Sequence, residues 1–435
     1  MALLAMVAWF TQRHGWDGAR VLSTLPVLAA LPAVLFGPLA GVLVDRWDRR
    51  TVMVVADSAR TLLVLCVPLL ALATGSLALV YALAFFVFLF GVLFQAARLA
   101  SIPNLVGADR VLGANSVMNV AGRVATVLGV LGGGLIVDWP GWSRVGIHPP
   151  WAAGFYIDAL TYAVSVVALL VVYRSIAPQE RTPRPLSLVP RPLRLFRHAS
   201  FGFRVSLAPR PSPPVPRPSS PDSIGSAIAR RTGHVVADLH EALVVVPQTP
   251  AVLFVYCSAL LLVLVGAAAV VLYVPIIQGT AAGGLGLGTR GVGFVAGIGA
   301  VGLLLSTAVY GVVRGVPRHR VMLACFIAIG LAVIGLAFAR RFEHVAALAF
   351  IAGLGISPLY IGMDTLLHQA VPDEVRGRIF AAREWLTHVA LALFALGLGQ
   401  ATRLLPGRVL LAAVGVVTVA AAAYGSFATR GRDIG

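Results

Sequence analysis

Eight ionisable side chains lie inside otherwise apolar stretches of this chain: Asp57, Arg60, Arg98, Arg123, Asp158, Asp364, Arg383 and Glu384. A charge is costly where water is excluded, so such residues pair with one another, line a polar path or exchange protons. Asp57, Asp364 and Glu384 are the acids able to take up and release protons if burial favours their neutral forms. Arg123 is a cation that a solute could meet. Seven of the eight fall within about two turns of one set of segment ends, and Asp158 lies near the opposite end. That distribution suits a gate better than a charged pocket. The cavity is then expected to be lined by apolar side chains, glycine and aromatics such as Phe85, Phe86, Tyr310 and Tyr360, a surface suited to hydrophobic or amphipathic solutes.

A second concentration of charge is the run "GVLVDRWDRR" at 41–50, where five of the last six residues are charged in a chain that is 12% charged. Asp45, at a helix end, can accept from the N–H groups of another helix N-terminus and pair with an arginine. Arg46, Arg49 and Arg50 can hold the turn on one side of a membrane, and Gly41 permits close helix approach. Cys66, Cys257 and Cys325 stand alone in apolar segments, without metal or redox spacing, and read as small core residues. No nucleotide-binding loop, metal-ligand spacing or nucleophile constellation is visible, so neither an enzyme nor a cofactor is expected.

The elements that must position these residues are membrane helices. Of the 435 residues 59% are hydrophobic, and runs such as "SLALVYALAFFVFLFGVLF" carry no charge. About 20 apolar residues span a bilayer. Eleven segments qualify, at about 22–43, 52–73, 77–99, 117–137, 152–173, 251–274, 292–313, 321–339, 345–366, 380–402 and 409–428. The leading "MALLAMVAWF" is too short to cross and lacks the features of a signal peptide; it reads as the second half of a span, from an upstream start or in an inactive remnant. The net charge of +17 rests on arginine alone, with no lysine, and implies no nucleic-acid partner.

Residues 175–249 differ in kind, holding 13 of the 27 prolines, ten arginines and four acids. This basic, proline-rich linker cannot pack a core, although 224–246 has the pattern of a surface helix. It divides an N-terminal bundle (1–174) from a C-terminal bundle (250–435). Eleven arginines against eight in the remaining loops place the linker and the 41–50 turn in the cytoplasm. "PNLVGADRVLGANS" (103–116) and "HQAVPDEVRGRIFA" (368–381) occupy corresponding places in the two bundles, as in transporters built from parallel repeats. The expected fold is an all-α integral membrane protein of two six-helix bundles in a pseudo-twofold repeat, with eleven complete spans and a partial first helix.

In that setting "GVLVDRWDRR" resembles the loop 2–3 signature of the major facilitator superfamily, and "DRWDRR" is most similar to its macrolide-type drug and siderophore exporters. Gly41, Asp45, Arg46, Arg49 and Arg50 match; Asp48 replaces a glycine. The segments 97–116, 155–170 and 368–384 are similar to the same branch around helices 4–5, 6 and 10–11. The resemblance implies that Asp45 engages Arg98 and the helix start near Gly377 and Arg378 when the cytoplasmic side is closed. "ATVLGVLGGG" (125–134) carries Gly129, Gly133 and Gly134 of an exporter signature, without its first glycine and its proline. The implied function is efflux of a small molecule in exchange for protons, in the lipid bilayer of a bacterial cell membrane, by a monomer. A metabolite importer or facilitator, and a transport-inactive remnant or sensor, stay open.

Overall fold

The computed structural model describes residues 1–106, 111–175, 249–279, 284–310, 317–429; the linker and its surface-helix pattern lie outside them. Twelve long helical elements follow one another among the described residues: α1 (Ala2–His14), α2 (Gly18–Arg46), α3 (Arg49–Thr74), α4 (Leu77–Val106), α5 (Val111–Val137), α6 (Trp151–Ser175), α7 (Pro250–Gln278), α8 (Gly288–Tyr310), α9 (Arg318–Phe338), α10 (Phe342–Ala370), α11 (Asp373–Ala401) and α12 (Gly407–Ala428). The all-helical membrane fold is the one expected. Ten of the helices are long and apolar enough to cross a bilayer; in α5 the described apolar stretch is Val124–Val137, shorter than the full span expected there.

Local chemistry sets the ends. Gly15 and Gly75 close α1 and α3 in the left-handed conformation that other residues resist. Asp48 accepts 2.9 Å hydrogen bonds from the Thr51 amide and hydroxyl, capping α3. The aspartate that replaces a glycine in the 41–50 motif therefore starts the next helix. Pro372 and Pro406 stand immediately before α11 and α12, where a missing amide hydrogen is harmless. Within α7, Ala269–Tyr273 winds as a π-turn ahead of Pro275.

Burial follows the logic of lipid rather than water. Large side chains such as Leu62, Leu160 and Leu393 are exposed, whereas Ala40, Ala56 and Ala97 are buried. Lipid tails solvate leucine as well as a protein interior does, so helices associate through small residues that let backbones approach. Cys66 and Cys257 are exposed rather than core residues, because each sits on an outward helix face. The packing repeats: α2 with α4, α3 with α4 and α3 with α6 are matched six helices later by α8 with α10, α9 with α10 and α9 with α12. At the α9–α12 crossing, a methyl on Gly330 would lie 2.9 Å from the Gly415 carbonyl oxygen, and one on Gly415 would lie 2.8 Å from that of Gly330.

The Gly330→Val variant should therefore lose about 1–3 kcal/mol to overpacking. Gly132→Ala, with open space in front of it, should be neutral. Thermal unfolding of the purified protein in detergent, followed by tryptophan fluorescence, reads the difference.

Candidate functional site

Successive helices alternate in direction, so their ends form two faces. One carries the α2–α3 turn; the opposite face carries the α1–α2, α5–α6, α7–α8 and α11–α12 connections. The first and last six helices meet through α2 with α11 and α5 with α8. Both crossings are lined by small residues near the opposite face. A methyl on Gly399 would come within 2.4 Å of Ser23 Cβ, and a methyl on Gly134 or Gly293 would lie 2.9 Å from the other's Cα.

Polar contacts close the same face. Asp138, just beyond α5, accepts from the Arg290 amide in the first turn of α8, placing a carboxylate against the positive end of a helix. Across the molecule, Asp17 accepts from the Ala19 amide (3.0 Å) and from the Thr402 hydroxyl at the end of α11 (3.3 Å), and pairs with Arg20 (3.2 Å). The largest apolar core joins residues of α7–α12 to Val7, Ala19, Leu22 and Leu25, all from α1 or the first turns of α2.

Toward the α2–α3 face no small-residue contact between the halves appears among the described residues. Val44, Val52, Met53 and Ala97 form a core within the first six helices. Gly37 and Gly377 have open space where a side chain would stand, and Gly377 and Arg378 are exposed. Gly41 lies five turns beyond Ser23, on the same face of α2. The side chains at Gly41, Asp45, Arg46 and Arg123 fall outside the described ones. Arg49 donates to the Ala100 carbonyl near the end of α4, and Arg50 is half-buried beside it in sequence. Arg98 buries its Nε without a hydrogen-bond partner among the described residues. Arg376 caps the end of α10, donating to the His368 and Val371 carbonyls at 3.0 Å each.

Of the helix 5 glycines, only Gly134 lies at the crossing with α8; Gly129 faces open space and Gly133 packs on the Met1 side chain. Asp57 is buried between α3 and α6, 3.0 Å from Arg60, and accepts from Ser165 Oγ at 2.6 Å. Arg60 also donates to the Tyr162 hydroxyl at 2.6 Å, with its guanidinium 4.0 Å from that ring's centroid. Asp57, one of the acids expected to exchange protons, is thus satisfied by Arg60 and Ser165, and Tyr162 holds Arg60 in turn. The spacings 57/60 and 162/165, each placing two polar residues on one helix face, were the available signal. Asp364 of α10 pairs with Arg383 of α11 at 2.7 Å.

Glu384 is different: its only described ionic neighbour is His388, one turn on, at 3.8 Å. His388 lies at the middle of the 29-residue α11. Glu384 lies about three turns inside it, farther than the apolar pattern alone implied, because α11 starts at Asp373 and not near 380. His388 escaped a search limited to charged residues. Phe86 and Tyr360, two of the expected cavity aromatics, are exposed, while Phe85 is half-buried and packs edge-on against Phe36.

Residues 1–211 match the Major Facilitator Superfamily. The chain is 27% identical over 405 residues to the uncharacterized MFS-type transporter Rv0037c of Mycobacterium tuberculosis, covering 89% of this chain and 78% of that one. It is 28% identical to the uncharacterized MFS-type transporter YfiS of Bacillus subtilis over 189 residues, 42% of this chain and 41% of the relative's length. Macrolide efflux protein A of Streptococcus pyogenes is 44% identical over 54 residues, 12% of this chain and 13% of that protein. Among solved structures, a POT family transporter in complex with 5-aminolevulinic acid superposes with a TM-score of 0.65 at 13% identity, covering 97% of this chain and 92% of that one. The nucleoside transporter NupG superposes with a TM-score of 0.58 at 12% identity over 98% and 96%. The chain shares their fold. With the match of residues 1–211 and the relatives, the chain is similar to membrane transporters of the MFS type.

Replacing Asp57 by Ala strands the buried Arg60 and should cost about 3 kcal/mol. The Asp57→Ala/Arg60→Met double variant should recover part of that loss. Unfolding midpoints of the single and double variants in detergent measure the coupling.

Proposed function

We propose that this chain is a major facilitator superfamily exporter that moves a hydrophobic or amphipathic small molecule out of a bacterial cell in exchange for protons. Residues 1–174 and 250–435 act as two bundles that rock about the cavity between them, with 175–249 as the cytoplasmic linker and a monomer as the working unit. The observation that carries the reading is the asymmetry of the joint: the small-residue crossings and both carboxylate contacts lie on one face. Alternating access requires such a state, with one face shut while the other admits solute.

On this reading the α2–α3 face is cytoplasmic and open. Asp45, Arg46, Arg49, Arg50, Arg98, Gly377 and Arg378 then belong to the latch that shuts it, with Gly41 and Gly377 as the surfaces that close together. The same physics serves both faces, since Asp138 meets a helix start on one side as Asp45 does on the other. The short likeness to a macrolide efflux protein supports the outward direction.

Two outcomes are expected. Cells expressing the protein should extrude an amphipathic dye down to a proton-gradient-dependent level, and Asp45→Ala or Arg98→Ala should abolish this; unchanged efflux would remove both from the latch. Spin labels placed by Ser76→Cys and Arg340→Cys, with the three native cysteines replaced by alanine, report the opposite face. Asp138→Ala should shift their distance distribution to longer values, and an unaltered distribution would show that Asp138 does not hold that face shut.

A further inference from the structure

The α11 helix has two unlike sides. Gly399 touches α2, and His388, eleven residues or three turns earlier, falls on the same face. Glu384, four residues before His388, lies about 60° round from Gly399, and Thr387 and Arg383 continue the polar arc toward Asp364 of α10. Leu393 and Leu396 occupy the other flank and are exposed, as lipid-facing residues are. Glu384 and His388 therefore lie on the side of α11 turned toward α2, below the level at which α2 and α11 touch.

The hydrogen bonding defines what this pair can recognise. His388 Nδ1 lies 2.8 Å from the Glu384 carbonyl oxygen. A carbonyl only accepts, so Nδ1 carries the hydrogen and the neutral ring presents Nε2 as a lone pair. The Glu384 side chain is 67% exposed and that of His388 32%. Two acceptors, one of them anionic, thus face the same space one helical turn apart.

Among the described residues, no cation other than His388 is paired with Glu384. From α2, residues 21–44 contribute no ionisable group. From α7, Tyr256 spends its hydroxyl on the Ile379 carbonyl (2.8 Å). From α10, Asp364 holds Arg383, the nearest cation on α11 itself. An unpaired carboxylate in such a place is costly unless a ligand or a proton neutralises it.

We propose that Glu384 and His388 form a subsite for the protonated amine of an amphipathic substrate, an ammonium N–H donating to the Glu384 carboxylate and to His388 Nε2. The inference rests on the transporter reading, in which this space is the substrate path, and it names the chemical class that path prefers.

The test is equilibrium binding to the purified full-length protein in nanodiscs, which does not depend on flux. Two dansyl probes are compared, identical except that one ends in a tertiary amine and the other in a hydroxyl. The amine probe should bind about tenfold more tightly or better. Glu384→Gln should erase that preference while leaving the hydroxyl probe's affinity unchanged. His388→Phe should weaken amine binding alone, and His388→Gln, which retains an acceptor, should restore part of it. Equal affinity for the two probes, no amine binding at all, or an amine preference that survives Glu384→Gln would each overturn the subsite. If the preference holds but dye efflux is absent from cells, the subsite stands and the export reading fails; efflux without the preference gives the reverse.

Discussion

Everything in this molecule depends on how closely two pairs of helix backbones can approach. In a bilayer, apolar burial does not drive helices together, so the halves adhere only where side chains are small enough for backbone contact. Gly134 against Gly293 and Gly399 against Ser23 supply that contact, and both lie near one end of the helices. Among the described residues the joint therefore sits toward one end of the helices. The clustering of Val7, Ala19, Leu22 and Leu25 with the C-terminal core adds apolar contact at the same level.

The polar elements divide into those that stabilise and those left available. Asp57, Arg60, Tyr162 and Ser165 satisfy one another between α3 and α6, and Asp364 and Arg383 satisfy one another between α10 and α11. Breaking the pair at the buried Asp57 leaves an uncompensated charge, so that group makes a firm scaffold and a poor shuttle. Glu384 and His388 are not consumed in this way. Arginine is also charged across the accessible pH range, so the scaffold pairs keep their cationic member under any condition the cell meets.

Much of the architecture was legible in the sequence because lipid imposes a one-dimensional rule: a helix must be long and uncharged. Uninterrupted runs such as 76–94 announced the helices. Exposure was harder to read. Cys66 and Cys257 looked like core residues because apolar context means interior in water, whereas in lipid it marks the outer face. The depth of Glu384 was misjudged because α11 begins in the charged stretch "DEVRGR", which hydropathy assigns to a loop. Which acids are spent on partners depended on contacts 108 residues apart, as between Ser165 and Asp57, and no local pattern reports these.

The π-turn at Ala269–Tyr273 gives α7 a spare residue at the level where it passes α2, α11 and α12. A wide turn of this kind inserts one residue, so the segment beyond it faces about 100° away from where an unbroken α-helix would aim it. Helix α7 thus aims Val274 and the residues after it at another side without leaving the helical state.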